Sequence, residues 1–260
     1  MARQKLGQHF LADRGWREKI LETLSVAGSD VWIEIGAGHG EMTELLAESG
    51  ARVYTIETDP KLAEKLREKA PSWGKVEVVE ADVLTVDFEK LTSGRFRVYG
   101  NLPYYITSPI LRRLFDAAGS IESIHIVIQL EVAVRIAASP GRRDYGYLST
   151  LCQFFTKPEI AFKIPAGAFN PPPRVTSALV QMSLPGERAT LDVADASEFL
   201  EFLQRCFAHK RKTLRNNLLE SSSDAQIAAA LKSCGLKPDA RAEQLDLTQF
   251  AALYAAVSER

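Results

Sequence analysis

Asn101-Leu102-Pro103-Tyr104 brings together groups that could make a poor nitrogen nucleophile react. An exocyclic amine on an adenine ring gives much of its lone pair to the ring. It attacks only when something draws the nitrogen toward tetrahedral geometry. Two acceptors that hold its two hydrogens would do so, and the Asn101 side-chain oxygen and the Leu102 carbonyl can supply them. Pro103 fixes the turn that aims both. Tyr104 offers a ring on which a base pulled out of its helix can stack. No strong base is needed, since the cationic nitrogen formed on transfer loses its proton readily. A proline turn beside a buried tyrosine would look the same in isolation, so the surrounding residues carry the weight.

Val31-Trp32-Ile33-Glu34-Ile35 runs into Gly36-Ala37-Gly38-His39-Gly40 and then a helical stretch. Three glycines at alternate positions let the backbone turn sharply and approach a ligand closely. The spacing is not the dinucleotide Gly-x-Gly-x-x-Gly, because the third glycine comes one residue early. A cofactor without a pyrophosphate needs room at the turn more than a helix N-terminus aimed at phosphate. The next strand ends at Glu57, roughly 20 residues on, where an acid can accept both hydroxyls of a ribose. After the third strand, Asp82 can accept from an adenine amino group, with Val83 packing near the ring. Either carboxylate alone would pass for a solvated loop residue. A glycine turn, Glu and Asp on successive strand ends, in that order, favour S-adenosylmethionine over NAD.

The elements that must position these groups alternate in the manner of βα units around a parallel sheet. Strands are expected at 31–35, 52–57, 75–79, 95–99 and 125–129, with helices at 41–49, 60–70 and 108–117. Two later runs, 159–164 and 177–184, read as a strand pair at the sheet edge, joined through Phe169-Asn170-Pro171-Pro172-Pro173. Pro185-Gly186-Glu187 is the best boundary. This gives an α/β, Rossmann-like domain over 1–186 and a small all-helical domain over 187–260, with helices at 197–208, 224–234 and 247–257. Asp195 or Ser197, and Thr248, are candidate helix caps.

Composition narrows the classes without choosing among them. A chain of 260 residues, 46% hydrophobic and 25% charged, suits a soluble protein that needs no disulfide or metal staple. Three unclustered cysteines (Cys152, Cys206, Cys234) and four scattered histidines indicate no metal site and a reducing, cytoplasmic setting. No signal-peptide core or membrane-length apolar run is visible. Net charge is −1, yet the charges are segregated. Lys210, Arg211, Lys212 and Arg215 share a segment without acids, and Arg112-Arg113 and Arg142-Arg143 add cations that could meet RNA phosphates. Such a run on its own is more often a solvated helix face.

Over essentially the whole chain these segments resemble the KsgA-type ribosomal RNA small-subunit adenine dimethyltransferases, of the rRNA adenine N(6)-methyltransferase family. Asn101-Leu102-Pro103-Tyr104 matches their amino-methyltransferase motif, and 33–40 their glycine motif. Gly7-Gln8-His9-Phe10-Leu11 is similar to their N-terminal cofactor-closing segment. Residues 169–177 match their Phe-x-Pro-x-Pro-x-Val-x-Ser stretch, and 210–218 their basic signature. Members of the family have Asn where His9 stands, Leu for Met42 and Asn for Tyr105.

The resemblance implies S-adenosyl-L-methionine as cofactor. His9 and Leu11 would touch its methionine end, partly through backbone groups, Gly36 and Gly38 would lie under it, and Glu57, Asp82 and Val83 would hold the nucleoside. Asn101 would stand beside both cofactor and target amine, and Phe169 would face Tyr104 across the target base. It further implies two methyl transfers to the N6 amine of each of two adjacent adenosines near the 3′ end of small-subunit (16S) rRNA. The partner would be a pre-30S ribosomal particle, met by a cytoplasmic monomer during ribosome biogenesis. The alternatives are an erythromycin-resistance methyltransferase of large-subunit rRNA, an NAD dehydrogenase, and a catalytically silent assembly factor on the same fold.

Overall fold

The computed structural model describes residues 9–92, 94–103 and 105–258. In chain order the elements are β1 (Phe10–Leu11), α1 (Arg14–Leu24), β2 (Val31–Ile35), α2 (Glu41–Glu48), β3 (Arg52–Glu57), α3 (Pro60–Trp73) and β4 (Val76–Glu80). There follow α4 (Phe88–Leu91), β5 (Phe96–Asn101), α5 (Thr107–Asp116), β6 (Ile121–Gln129), α6 (Leu130–Ile136) and α7 (Tyr147–Phe155). The last are β7 (Lys157–Ile164), β8 (Phe169–Asn170), β9 (Ser177–Ser183), α8 (Ala196–Cys206), α9 (Leu214–Leu218), α10 (Asp224–Ser233) and α11 (Leu247–Ser258).

Local chemistry sets several of these boundaries. Asp59 precedes α3, accepts from the Lys61 amide at 2.9 Å, and is followed by Pro60 in the first turn, where a missing N–H costs nothing. Asp195 caps α8 by accepting from the amides of Ser197 and Glu198. At α11 the cap is Asp246, which accepts from Gln249 N at 2.8 Å; Thr248, the expected cap, is already inside the helix.

Seven strands form one sheet in the order β4-β3-β2-β5-β6-β9-β7, and β1 pairs antiparallel with β8 in a separate ribbon. β4, β3, β2, β5 and β6 are mutually parallel, and β9 joins β6 antiparallel. The chain therefore winds outward from β2 to β4, then returns to β5 on the other flank of β2. Such a switch point opens a crevice beyond the carboxyl ends of the central strands. Beside the sheet lies a core of fully buried Ile20, Leu24, Trp32, Leu46, Val53, Val127 and Leu179. Each such side chain contributes about 1.5–3 kcal/mol over an exposed one.

Compactness divides the chain into two units. The first holds the sheet, with residues up to Ala133 together with Pro158–Leu184. The second takes Val134–Lys157 along with the chain from Pro185 onward. The sequence pattern predicts a single boundary after residue 186, so the excursion through α7 is the difference. Phe154 of α7 is fully buried and meets Phe199 of α8 with ring centroids 5.3 Å apart. Phe199 in turn meets Tyr254 of α11 at 5.5 Å.

Candidate active site at the carboxyl ends of the strands

The cleft at the switch point is lined by the residues that follow β2, β3, β4 and β5, with His9 and Phe10 along one side. It is an open cleft, with about 870 Å³ of free space when the solvent at its mouth is included. Two glycines shape its floor. Gly36 sits at φ 75°, and a side chain there would meet nothing within 4 Å, so the space in front of it is open. Its amide donates to the Ile56 carbonyl at 2.8 Å, extending the β2–β3 ladder by one residue. Gly38 is the opposite case: a Cβ would lie 2.7 Å from the Phe10 ring. Phe10 packs on that bare backbone, with its centroid 4.6 Å from that of His39.

Glu57 ends β3 and is 2% exposed. Its Oε2 accepts from the Gly38 amide at 3.0 Å and its Oε1 from the Asp59 amide at 2.9 Å. Two backbone donors thus lock the carboxylate against the glycine turn, with lone pairs left toward the cleft. Asp82 is exposed, and its Oδ1 caps the short turn after β4 by accepting from Leu84 N at 3.0 Å. No described group donates to its Oδ2. Val83 beside it is 7% exposed and gives the cleft an apolar wall.

Asn101 is the last residue of β5. Its Nδ2 donates to the His9 carbonyl at 2.8 Å, and no described group donates to its Oδ1. The Leu102 amide donates to Val127 O at 3.1 Å, whereas the Leu102 carbonyl takes no described donor. Pro103 holds the turn, its carbonyl accepting from Ile106 N at 3.2 Å and from the Thr107 hydroxyl at 3.3 Å. Tyr104 lies outside the described residues. His9 is held by a 2.7 Å bond between its Nδ1 and the Pro171 carbonyl.

The structure does not bring every expected residue to this place. Leu11 and Phe169 are register partners of the β1–β8 ribbon, 7% and 3% exposed, and both belong to the hydrophobic core. Neither lines the cleft, because the short ribbon turns its apolar side chains inward. Several residues that do line it were not singled out by sequence. Phe10, Thr58, Ala81, Ile106 and Ile110 line the walls, and Tyr105 stands at the mouth. Gly100 also matters: a Cβ there would lie 2.8 Å from Leu102 Cδ2 and 3.1 Å from Ile35 O. Only the position of Gly100, immediately before Asn101, signals this packing.

Behind the glycine turn, Glu34 is 2% exposed and accepts from the hydroxyls of Thr43 at 2.5 Å and Thr55 at 3.2 Å. Burial pushes its carboxyl up to about 7, against the help of those two hydroxyls. In the middle of β6, burial pushes His125 down to about 3, with Arg97 nearby adding to the effect.

In the helical unit, Arg142, Arg143, Lys210, Arg211 and Arg241 surround one concavity in which Glu243 is the sole acid. Lys210 Nζ donates to the Arg143 carbonyl at 2.6 Å, which fixes one wall to the other. Lys212 is exposed outside it. Arg215 is paired with Asp224 through Nε and Nη2, so its charge is already answered. In the sheet unit Arg113 is likewise engaged, by the Val86 carbonyl and Asp116, while Arg112 is exposed. Among the described residues no group of three or more His, Cys, Asp and Glu converges as metal ligands, and no helix is long and apolar enough to cross a membrane.

A cleft at the switch point, floored by a glycine turn without the dinucleotide spacing, gives this chain a Rossmann-like architecture, and its relatives are methyltransferases. A family described as ribosomal RNA adenine dimethylase matches residues 1–259. Over 259 residues the chain is 42% identical to the ribosomal RNA small subunit methyltransferase A of Acidobacterium capsulatum, covering 98% of this chain and 91% of that one. The protein of the same name from Leuconostoc mesenteroides is 38% identical, covering 100% and 91%. Among solved structures, a dimethyladenosine transferase from Plasmodium falciparum superposes with a TM-score of 0.77 at 25% identity, covering 94% and 96%. The 23S rRNA methyltransferase ErmE gives 0.72 at 29% identity, covering 96% and 100%. The chain belongs to the ribosomal RNA adenine dimethylase family.

Proposed function

We propose that this enzyme transfers two methyl groups from S-adenosyl-L-methionine to the N6 amine of each of two adjacent adenosines near the 3′ end of small-subunit rRNA. The observation that carries the reading is the Asn101 side chain, whose Nδ2 is spent on His9 and whose Oδ1 faces the cleft without a described donor. The cleft fits the cofactor. Gly36 leaves open space, Glu57 keeps lone pairs for a ribose, and Asp82 Oδ2 is open to an adenine amine. When bound there, the cofactor supplies an electrophilic methyl group.

The protein's share is orientation. Asn101 Oδ1 and the Leu102 carbonyl take the two hydrogens of the target amine and turn its lone pair out of conjugation. The bond to His9 and the Pro103 turn hold both acceptors before the substrate arrives, so little is reorganised during transfer. The cationic product nitrogen then loses a proton to water. Removal of that proton regenerates a neutral amine that can accept a second methyl. Tyr104 would stack on the target base.

The basic concavity of Arg142, Arg143, Lys210, Arg211 and Arg241 suits the phosphates of the same RNA. The reading also takes the substrate as a pre-30S particle, the enzyme as a monomer and the setting as the cytoplasm. It is tested by incubating unmethylated small subunits and large subunits with labelled cofactor and mapping the modified nucleotides. Label at adjacent adenosines of small-subunit rRNA supports it. Label confined to large-subunit rRNA overturns it in favour of the erythromycin-resistance reaction, and no label in either favours a silent assembly factor.

A further inference from the structure

We infer that Tyr105 is a second stacking platform, placed at the mouth of the cleft to hold the nucleotide next to the target adenosine. The inference rests on the reading above, since it concerns the RNA strand that enters the same site. Tyr105 is 62% exposed, the most exposed of the large hydrophobic residues described. Of these residues, which also include Val134, Val175 and Leu219, Tyr105 alone lines the cleft. No hydrogen bond or ring contact joins its side chain to any described residue. A ring left in water at the edge of the cleft is an unpartnered apolar face in the place where a base must pass.

The backbone that carries it is nevertheless fixed. The turn from Pro103 is closed by the Ile106 amide on the Pro103 carbonyl, and α5 begins directly after, with Ile110 N on Ile106 O at 3.0 Å. Only two side-chain torsions remain to be ordered, so a tyrosine offers stacking area at low entropic cost. The substrate chemistry supplies the occupant. A base extruded into the cleft gives up its stacking on both sides, and the neighbour it leaves is unstacked on one face. In a substrate of two adjacent adenosines, each target has the other adenosine on one side, a purine, the base type with the larger face. Asn101 inside and Tyr105 at the rim would then hold consecutive nucleotides of one strand, the first by its amine and the second by its ring.

The test compares Tyr105→Ala and Tyr105→Phe with wild type on two small-subunit substrates, one natural and one with the neighbouring adenosine replaced by uridine. Tyr105→Ala should lower kcat/KM on the natural substrate by roughly 5- to 150-fold, the equivalent of about 1–3 kcal/mol of base–aromatic stacking. Tyr105→Phe, which keeps the ring, should recover most of that loss. Replacing the neighbour by uridine should penalise wild type and leave the Ala variant nearly indifferent. Cofactor affinity, measured by calorimetry, should be the same in all three proteins. Equal kcat/KM in the Ala variant and wild type overturns the inference. So does a loss explained by weaker cofactor binding, or an equal uridine penalty in both proteins. If wild type itself does not methylate the natural small subunit, the underlying reading has failed instead.

Discussion

Asn101 Nδ2 donates to the backbone carbonyl of His9 across 92 residues of sequence, at 2.8 Å. A carbonyl can only accept, so this one bond dictates which end of the amide faces the cleft. The oxygen is left toward the cleft, and the residue before β1 is tied to Asn101 by the same contact.

Deleting that amide should separate chemistry from binding. Asn101→Ala removes the Oδ1 acceptor and the bond to His9 while leaving the Leu102 carbonyl and the Pro103 turn. Loss of one preorganised hydrogen-bonding group costs on the order of 2.7–4 kcal/mol, about a hundred- to thousandfold in rate. Asn101→Asp keeps an acceptor but cannot donate to His9, so it should fall between Ala and wild type. Single-turnover transfer at saturating cofactor is the measurement, and near-wild-type rates in the Ala variant would reduce Asn101 to a turn residue.

The two acidic strand ends should fail differently. Asp82 is exposed and caps one short turn, so Asp82→Ala should leave thermal stability nearly unchanged and weaken cofactor binding by about 1.5–3 kcal/mol, the worth of a charged hydrogen bond. Glu57 is buried and answers two amides, so Glu57→Ala should lower both cofactor affinity and the melting temperature. Calorimetry and thermal unfolding of the two variants together decide the point; identical profiles would contradict it.

Charge removal around the concavity should be read through salt. Replacing Arg142, Arg143, Lys210 and Arg211 by Gln should flatten the log–log salt dependence of RNA binding by about 0.7 to 0.9 for each phosphate no longer neutralised. Arg215→Gln should hardly change the slope, because Arg215 is already paired with Asp224. An equal effect from Arg215 would mean the pair opens on RNA.

Glu34 and His125 should oppose one another as pH changes. Glu34, raised to about 7, binds a proton in the fold that the unfolded chain releases above about 4.5, so its contribution falls as pH rises between those values. His125, lowered to about 3, refuses a proton that the unfolded chain takes up below 6.5, so its contribution falls as pH drops through that window. Glu34→Gln removes the first effect alone. The difference in unfolding free energy, variant minus wild type, should climb by about 3 kcal/mol between pH 4.5 and 7. Denaturant titrations across that range check it, and parallel curves would show that Glu34 does not hold its proton.

The sheet was legible because its strands are short, β-branched and bounded by turn residues; β2 and β3 fall where the sequence placed them. The order glycine turn, Glu57, Asp82, Asn101 was legible for the same reason, since each ends or follows a parallel strand. α7 was not, because Tyr-Leu-Ser-Thr-Leu-Cys-Gln-Phe-Phe is buried on most sides and carries no charged residue to mark a solvent face. Nor was the β1–β8 ribbon, whose two-residue strands leave no local pattern. The side chains of Leu11 and Phe169, expected beside the cofactor and the target base, lie in the core. Tyr105 was visible in the sequence only as a departure from the family pattern, because solvent exposure, not residue type, distinguishes it.

The excursion of the chain through α7 bears on how this protein could have been assembled in evolution. A unit that the chain enters twice cannot be exchanged by one crossover event near the 3′ end of a gene. Truncation after Leu184 would leave Phe154 without Phe199, its aromatic partner on α8, and expose an apolar helix to water. A recombinant carrying another helical tail would inherit the same orphaned surface. Substitutions on the two segments must therefore be accepted in concert, and the helical part should diversify by compensated point changes, not by shuffling of modules.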